Sequence, residues 1–252
     1  MENSMPLLPE MGEIWQKTLG WQPTSEQQDL LQKLYQGVVA GNRQLNLTRI
    51  TEPEAFWEKH LWDSLAGIQS LDLNKGKIID IGTGAGFPGL PVAIAAPMAK
   101  VILLDSTRKK IDFLQDLISQ LPINNARAVV GRAEKVGQQS SHRETYDLVL
   151  IRAVGHVCAC AEYSLPLLKI GGQAVLYRGN WNEDQQEETA LEIAVEKMGG
   201  EIITVTSLVT PLSNSHRHNI YLRKIAPTPN QFPRRVGIPN KKPLGMGSLN
   251  TK

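Results

Sequence analysis

The sequence predicts a doubly wound α/β fold with a seven-stranded, mostly parallel sheet, and three observations carry that expectation. Apolar, strand-like runs recur at 77–81, 100–105, 126–130, 146–151, 172–178, 201–207 and 218–225. Helical patterns at 88–96, 107–121, 155–169 and 183–198 fall between them, and strands separated by helices of about a dozen residues imply parallel crossovers. The first strand ends in Ile78-Ile79-Asp80-Ile81 and runs straight into Gly82-Thr83-Gly84-Ala85-Gly86-Phe87-Pro88-Gly89. Glycines at that spacing let the chain turn tightly and bring a ligand against bare backbone.

Ahead of the sheet, the first 70 residues read as helical. Ser25 precedes Glu26-Gln27-Gln28-Asp29, and Leu30, Leu31, Leu34, Val38 and Val39 follow at helical spacing. Thr51-Glu52-Pro53-Glu54 has the form of a capping box with proline in the first turn, opening a helix through Phe56, Trp57, Leu61 and Leu65. The chain divides into a helical extension (1–72), the sheet domain (73–226) and a carboxy-terminal arm (227–252). Five prolines and the glycines at 237, 245 and 247 fall in the arm, where no apolar period survives, so it reads as extended. Its Arg234, Arg235, Lys241, Lys242 and Lys252 face no acid within the arm, giving it +5 against −3 for the rest of the chain. A basic tail on a slightly acidic body suits a polyanion, or simply keeps a protein in solution.

Composition excludes several classes. At 41% hydrophobic and 21% charged residues the balance is that of a soluble domain. No apolar run reaches the roughly 18 residues of a membrane span, and Met1–Pro6 lacks the pattern of a secretory signal. Only Cys158 and Cys160 occur, which excludes a disulfide framework, fits a reducing cytoplasm and leaves no metal-ligand spacing.

Asp80 decides the cofactor. A carboxylate two residues before Gly82 repels a pyrophosphate but suits the amino group of S-adenosylmethionine. Val101-Ile102-Leu103-Leu104-Asp105 ends in a second acid for ribose hydroxyls, a feature shared with nicotinamide enzymes. Gly131-Arg132-Ala133-Glu134 follows the third strand, where a loop closes over adenine. The chain therefore reads as a methyltransferase.

The fourth strand, Tyr146 to Ala153, narrows the acceptor. It lacks the Asn/Asp-Pro-Pro-aromatic clamp used on exocyclic amines. Cys158 and Cys160 lie inside the next helix, so the cysteine nucleophile that attacks a pyrimidine carbon is missing. An acceptor with its own lone pair, such as guanine N7, fits best, with Arg152 at the strand end to hold the base or the methionine carboxylate.

Beyond the pocket, Asn46-Leu47-Thr48, His60-Leu61-Trp62-Asp63-Ser64-Leu65, Asp105-Ser106-Thr107-Arg108-Lys109-Lys110, Arg217-His218 and Gly237-Ile238-Pro239-Asn240-Lys241-Lys242-Pro243-Leu244 extend a pattern over nearly the whole chain. With the glycine turn, Gly131–Glu134 and Arg152-Ala153, it resembles the bacterial methyltransferase G, or glucose-inhibited division protein B, family. That resemblance implies a Rossmann-like class I methyltransferase sheet and transfer of methyl from S-adenosylmethionine to N7 of a guanine in 16S ribosomal RNA. It implies donor contacts at Gly82, Phe87, Asp105, Ala133, Glu134 and Arg152, with Asp80, Gly84, Gly86, Ser106 and Thr107 completing the pocket. His60 and Asp63, three apart on one helix face, are expected to flank the cleft and position the reactants with Arg152. Arg108, Lys109, Lys110, Arg178, Arg217, Arg234, Arg235, Lys241 and Lys242 are the expected RNA-binding cations. The chain departs from the common family pattern at Arg178-Gly179, where many relatives carry lysine before the glycine. The expected partner is ribosomal RNA in the small subunit or its precursor, in the cytoplasm, with no metal, membrane or obligate protein partner. Competing readings are a small-molecule or other RNA methyltransferase, a nicotinamide oxidoreductase, and a nucleic-acid-binding protein with a vestigial cofactor fold.

Overall fold

The computed structural model describes residues 6–73, 75–179, 181 and 185–246. Gly247, Lys252 and the first two positions of the helix expected over 183–198 lie outside them. Seven strands, β1 (Lys77–Ile81), β2 (Lys100–Asp105), β3 (Ala126–Val130), β4 (Tyr146–Arg152), β5 (Leu168–Arg178), β6 (Gly200–Val209) and β7 (His216–Lys224), form one sheet in the order β3-β2-β1-β4-β5-β7-β6. All pairs are parallel except those of β7, which runs antiparallel to β5 and β6. The link from β6 to β7 is too short for a crossover helix, so it closes as a hairpin.

Ten helices flank the sheet: α1 (Gly12–Leu19), α2 (Ser25–Leu45), α3 (Pro53–Phe56), α4 (Asp63–Ala66), α5 (Gly89–Ala95), α6 (Arg108–Gln120), α7 (Ala133–Val136), α8 (Val157–Ser164), α9 (Gln185–Lys197) and α10 (Ile238–Lys241) among the described residues. Both faces of the central strands are covered, which is why β1 and β4 read as nearly unbroken apolar runs. Side chains alternate across β1: Ile78 packs with Trp15, Leu34, Phe56 and Leu90 on the face of the amino-terminal helices. Ile79 and Ile81 pack with Val149, Val157, Leu191 and Ile220 on the face of α8 and α9.

Local chemistry moved several boundaries. The cap of α2 is Thr24, not Ser25: its hydroxyl accepts from the Gln27 amide, and the Gln27 side chain accepts from the Thr24 amide. The capping box expected at Thr51 does not form. Glu52 precedes α3 without a side-chain cap, Pro53 supplies the helical φ of the first turn, and the Thr51 carbonyl accepts from the buried Tyr35 hydroxyl at 2.9 Å. A π-helical turn, Trp57–Trp62, joins α3 to α4. The helix expected over 155–169 ends at Ser164, because Pro166 has no amide to continue the ladder and the chain passes through one 3-10 turn into β5.

The arm is less extended and less free of acids than its composition suggests. Arg143 donates to the carbonyls of Thr228 (2.6 Å) and Phe232 (2.7 Å), and Gln138 donates to that of Pro233 at 2.9 Å. Arg234 grips Glu162 of α8 through Nε, Nη2 and its backbone amide at 2.6–3.0 Å, and Glu162 is fully buried. The arm is therefore pinned over α7 and α8 and includes the helical turn α10.

Candidate cofactor and acceptor site

The site lies at the carboxyl ends of the strands, where a doubly wound sheet opens a crevice. Gly82 and Gly84 take φ of +71° and +58°, which L side chains rarely adopt. The Gly82 and Thr83 amides both donate to the Leu104 carbonyl at the end of β2, tying the turn to its neighbour. Gly89 opens α5 so close to β1 and β2 that a Cβ there would sit 2.8 Å from Asp80 Oδ2 and 2.2 Å from Leu103.

Asp80 is fully buried. Its Oδ2 accepts from the Thr83 hydroxyl at 2.6 Å and the Gly89 amide at 2.8 Å, so this carboxylate clamps both ends of the glycine turn. Its Oδ1 is buried with no hydrogen-bond partner among the described residues. Burial pushes the carboxyl up to about 6, against the pull of those two bonds and of Arg152. A buried carboxyl perturbed in this way beside a cleft is a candidate functional group.

Asp105 ends β2, with Oδ1 on the Thr107 amide (2.8 Å) and Oδ2 on the Gly84 amide (3.1 Å). With Ser106, Gly131, Arg132, Ala133 and Glu134 it lines a cavity of about 120 Å³. Ile81, Gly82, Leu104, Val154, Tyr163, Gly237 and Asn240 complete the wall, and no pattern in the sequence pointed to Val154 or Tyr163. Glu134 Oε1 accepts from the Gly237 amide at 2.9 Å, so an expected donor contact is also the anchor of the arm. The arm thus borders the cofactor cleft as well as carrying cations expected to meet RNA.

A second cavity of about 290 Å³ adjoins the ends of β4 and β5, lined by Asp63, Arg152, Ala153, Tyr177, Arg178, Gly179 and Arg217. Arg152 Nη1 donates to Asp63 at 3.0 Å and to the Lys59 carbonyl at 3.1 Å, while Arg217 pairs with the other Asp63 oxygen at 3.4 Å. One carboxylate therefore fixes two guanidinium groups at the cavity wall. His60 stacks on Phe87 (4.5 Å between ring centres) and meets the Thr48 hydroxyl through Nε2 at 2.9 Å. Burial, with the charges of Arg152 and Lys59, pushes His60 down to about 3, so it is a neutral packing group at working pH. Thr48 also accepts from the Ile50 amide, which locks the turn after α2.

The remaining expected residues divide by position. Arg108 and Lys109 are exposed at the start of α6, and Arg235, Lys241 and Lys242 are exposed on the arm. Arg178 donates to the Gly155 carbonyl at 3.2 Å and lies 3.8 Å from Glu187. Arg234 is withdrawn into its pair with Glu162 and is a structural tie. Cys158 and Cys160 are buried and their thiols are pushed up to about 12, mainly by burial. A nucleophilic role needs a thiolate, so the Cys158→Ser, Cys160→Ser double variant is expected to keep most of its turnover. Loss of turnover at unchanged melting temperature would reopen covalent catalysis.

Among the described residues no group of three or more His, Cys, Asp or Glu side chains converges on a metal position, and no helix is long and apolar enough to cross a membrane. A larger cavity of about 450 Å³, between α1 and the ends of α4 and α5, carries no charged side chain and lies at the opposite ends of the strands.

The family model for rRNA small subunit methyltransferase G matches residues 27–216. The chain belongs to that family. It is 59% identical over 245 residues to the ribosomal RNA small subunit methyltransferase G of Nostoc punctiforme, covering 94% of this chain and 99% of that one. The corresponding protein of Trichodesmium erythraeum is 55% identical over 96% of this chain and 97% of its own length. Among solved structures, a 16S rRNA adenine-N1 methyltransferase from Catenulisporales acidiphilia superposes with a TM-score of 0.52 at 14% identity, covering 62% of this chain and 88% of that one. That likeness is one of fold alone. Consecutive residues at the end of β4 line both cavities of this family member, Arg152 and Ala153 one and Val154 the other.

Proposed function

We propose that this family member transfers methyl from S-adenosylmethionine to N7 of a guanine in 16S ribosomal RNA, within the small subunit or its precursor. A ribosomal substrate puts the reaction in the cytoplasm. The observation that carries the reading is the pairing of a cofactor-type cleft, built on Asp80 and Asp105, with an adjoining cavity whose wall is Arg152, Asp63 and Arg217.

The residues fit the cofactor. Asp80 Oδ1 is a buried acceptor with no partner among the described residues, suited to a cationic amino group, and Asp105 stands where a ribose diol needs an acceptor. S-Adenosylmethionine supplies an electrophilic sulfonium methyl. The turn Gly82–Gly86, clamped by Asp80, holds the donor in register, and positioning of this kind supplies most of the rate for an in-line transfer. Asp63 holds Arg152 and Arg217 as fixed donors toward the O6 edge and the phosphate of a guanine, the pairing that arginine geometry favours. Attack by the N7 lone pair releases no proton in the transfer step, so no general base is required. That matches a site whose His60 is neutral and whose thiols stay protonated.

Arg235, Lys241 and Lys242 on the arm, and Arg108, Lys109 and Lys110 on α6, form the RNA-facing charge. Neutralising Arg235, Lys241 and Lys242 together is expected to weaken RNA binding and flatten its salt dependence by about one counterion per lost phosphate contact. Filter binding over a salt series reads both, and a wild-type slope would move recognition to α6.

The function is tested with the purified protein, labelled S-adenosylmethionine and small subunits lacking this modification. Nucleoside digestion should return the label as 7-methylguanosine. Label in an adenosine or cytidine would overturn the assignment of acceptor.

A further inference from the structure

We propose that the α10 turn of the carboxy-terminal arm is part of the cofactor site, and that the Asn240 carboxamide recognises the adenine edge. The inference rests on S-adenosylmethionine being the donor. Three independent contacts put the turn there. Gly237 donates its amide to Glu134, the last residue of the segment expected to cover adenine. Asn240 lies so close to the loop after β4 that a Cβ on Gly155 would sit 2.2 Å from its Oδ1. Gly237 and Asn240 both line the cavity that Asp105 and Ala133 share.

The chemistry narrows the role to Asn240. Of the other polar side chains on that wall, Arg132 offers donors only, Ser106 a single hydroxyl and Asp105 and Glu134 acceptors only; the rest are aliphatic side chains and Tyr163. Tyr163 is engaged with Glu134, and Glu134 with Gly237. Asn240 is exposed at the mouth of the cavity, and its carboxamide offers one donor face and one acceptor face. Adenine presents the complement, an N6 amino donor beside a ring-nitrogen acceptor, and a carboxamide pairs with it in two bonds. On the N6/N7 edge hypoxanthine breaks that match, because an oxo group replaces the amino group beside N7 and the edge then carries two acceptors.

The arm therefore carries two functions on one turn: Asn240 toward the cofactor, and the exposed Lys241 and Lys242 toward RNA. The pair Arg234–Glu162 holds the segment in place.

The test is calorimetric titration of S-adenosylhomocysteine and its hypoxanthine analogue into the full-length wild type, Asn240→Ala and Asn240→Asp, with melting temperatures recorded for each. Wild type should prefer the adenine ligand by about 10-fold or more. Asn240→Ala should lose about 10-fold in affinity for the adenine ligand and bind the hypoxanthine ligand as before, which removes the preference. Asn240→Asp, which keeps the shape and loses the donor, should not restore it. Wild-type adenine affinity in both variants, or an equal loss for both ligands, overturns the role of Asn240. Failure of the wild type to bind S-adenosylhomocysteine at all would instead remove the cofactor assignment on which the inference stands.

Discussion

Replacing Arg234 with alanine is expected to destabilise the protein by roughly 3–5 kcal/mol, the range for stranding a buried charge. Glu162 has no exposed surface and accepts from Arg234 through four contacts of 2.6–3.0 Å. Only the backbone amide would remain in the variant. Equilibrium urea unfolding measures the loss. The second arm of the experiment removes both charges, with Glu162→Leu and Arg234→Met, and should recover most of the stability because a matched apolar pair carries no desolvation cost. A loss below about 1 kcal/mol in Arg234→Ala would mean that the pair behaves like an exposed ion pair, and that the arm is held elsewhere.

Asp80→Asn should separate stability from function. The amide keeps an acceptor for Thr83 and Gly89 but removes a charge that burial disfavours. With the folded carboxyl near 6 and its ordinary value at 3.8, the native state binds more protons than the unfolded state between those values. Wild-type stability therefore falls as pH rises through that window and stays lowered above it. The asparagine variant lacks that slope. It should be more stable than wild type at pH 8 by on the order of 2–3 kcal/mol, with the gain vanishing toward pH 4. In the same protein, binding of S-adenosylmethionine should weaken by about 1–3 kcal/mol through loss of the charged partner. Unchanged affinity in a folded variant would reduce Asp80 to a brace for the turn.

The sheet was legible because its strands are buried on both faces, so β1, β2 and β4 appear as short apolar runs with acids or arginine at their ends. Asp80, Asp105 and Arg152 could be placed from that alone, each sitting at or near the end of a strand. Helix ends were harder. Thr24 and Ser25 are adjacent cap formers, and only the reciprocal bonds with Gln27 choose between them. α8 stops at Ser164, five residues short of the boundary that apolar spacing suggests, because Pro166 cannot continue the ladder.

The arm was the larger misreading, and its cause is physical. Composition showed five cations and no acid within 26 residues, but the acid that binds Arg234 lies 72 positions earlier, on a buried face of α8. Charge counted along the chain says nothing about charge across a fold. The same distance hid the arm's share of the cofactor cleft: Gly237 meets Glu134 across 103 residues. His60 was legible as a neighbour of the cleft, yet its stacking on Phe87 and its neutrality depend on burial that no local pattern records.

Mapping 7-methylguanosine in small-subunit ribosomal RNA from cells with and without this gene tests the central claim most directly. Chemical scission at 7-methylguanosine followed by primer extension locates the modified base. A single site should disappear on deletion and return with the wild-type gene. It should not return with a variant in which Arg152 is replaced by alanine. An unchanged 7-methylguanosine pattern in the deletion strain would contradict the assignment.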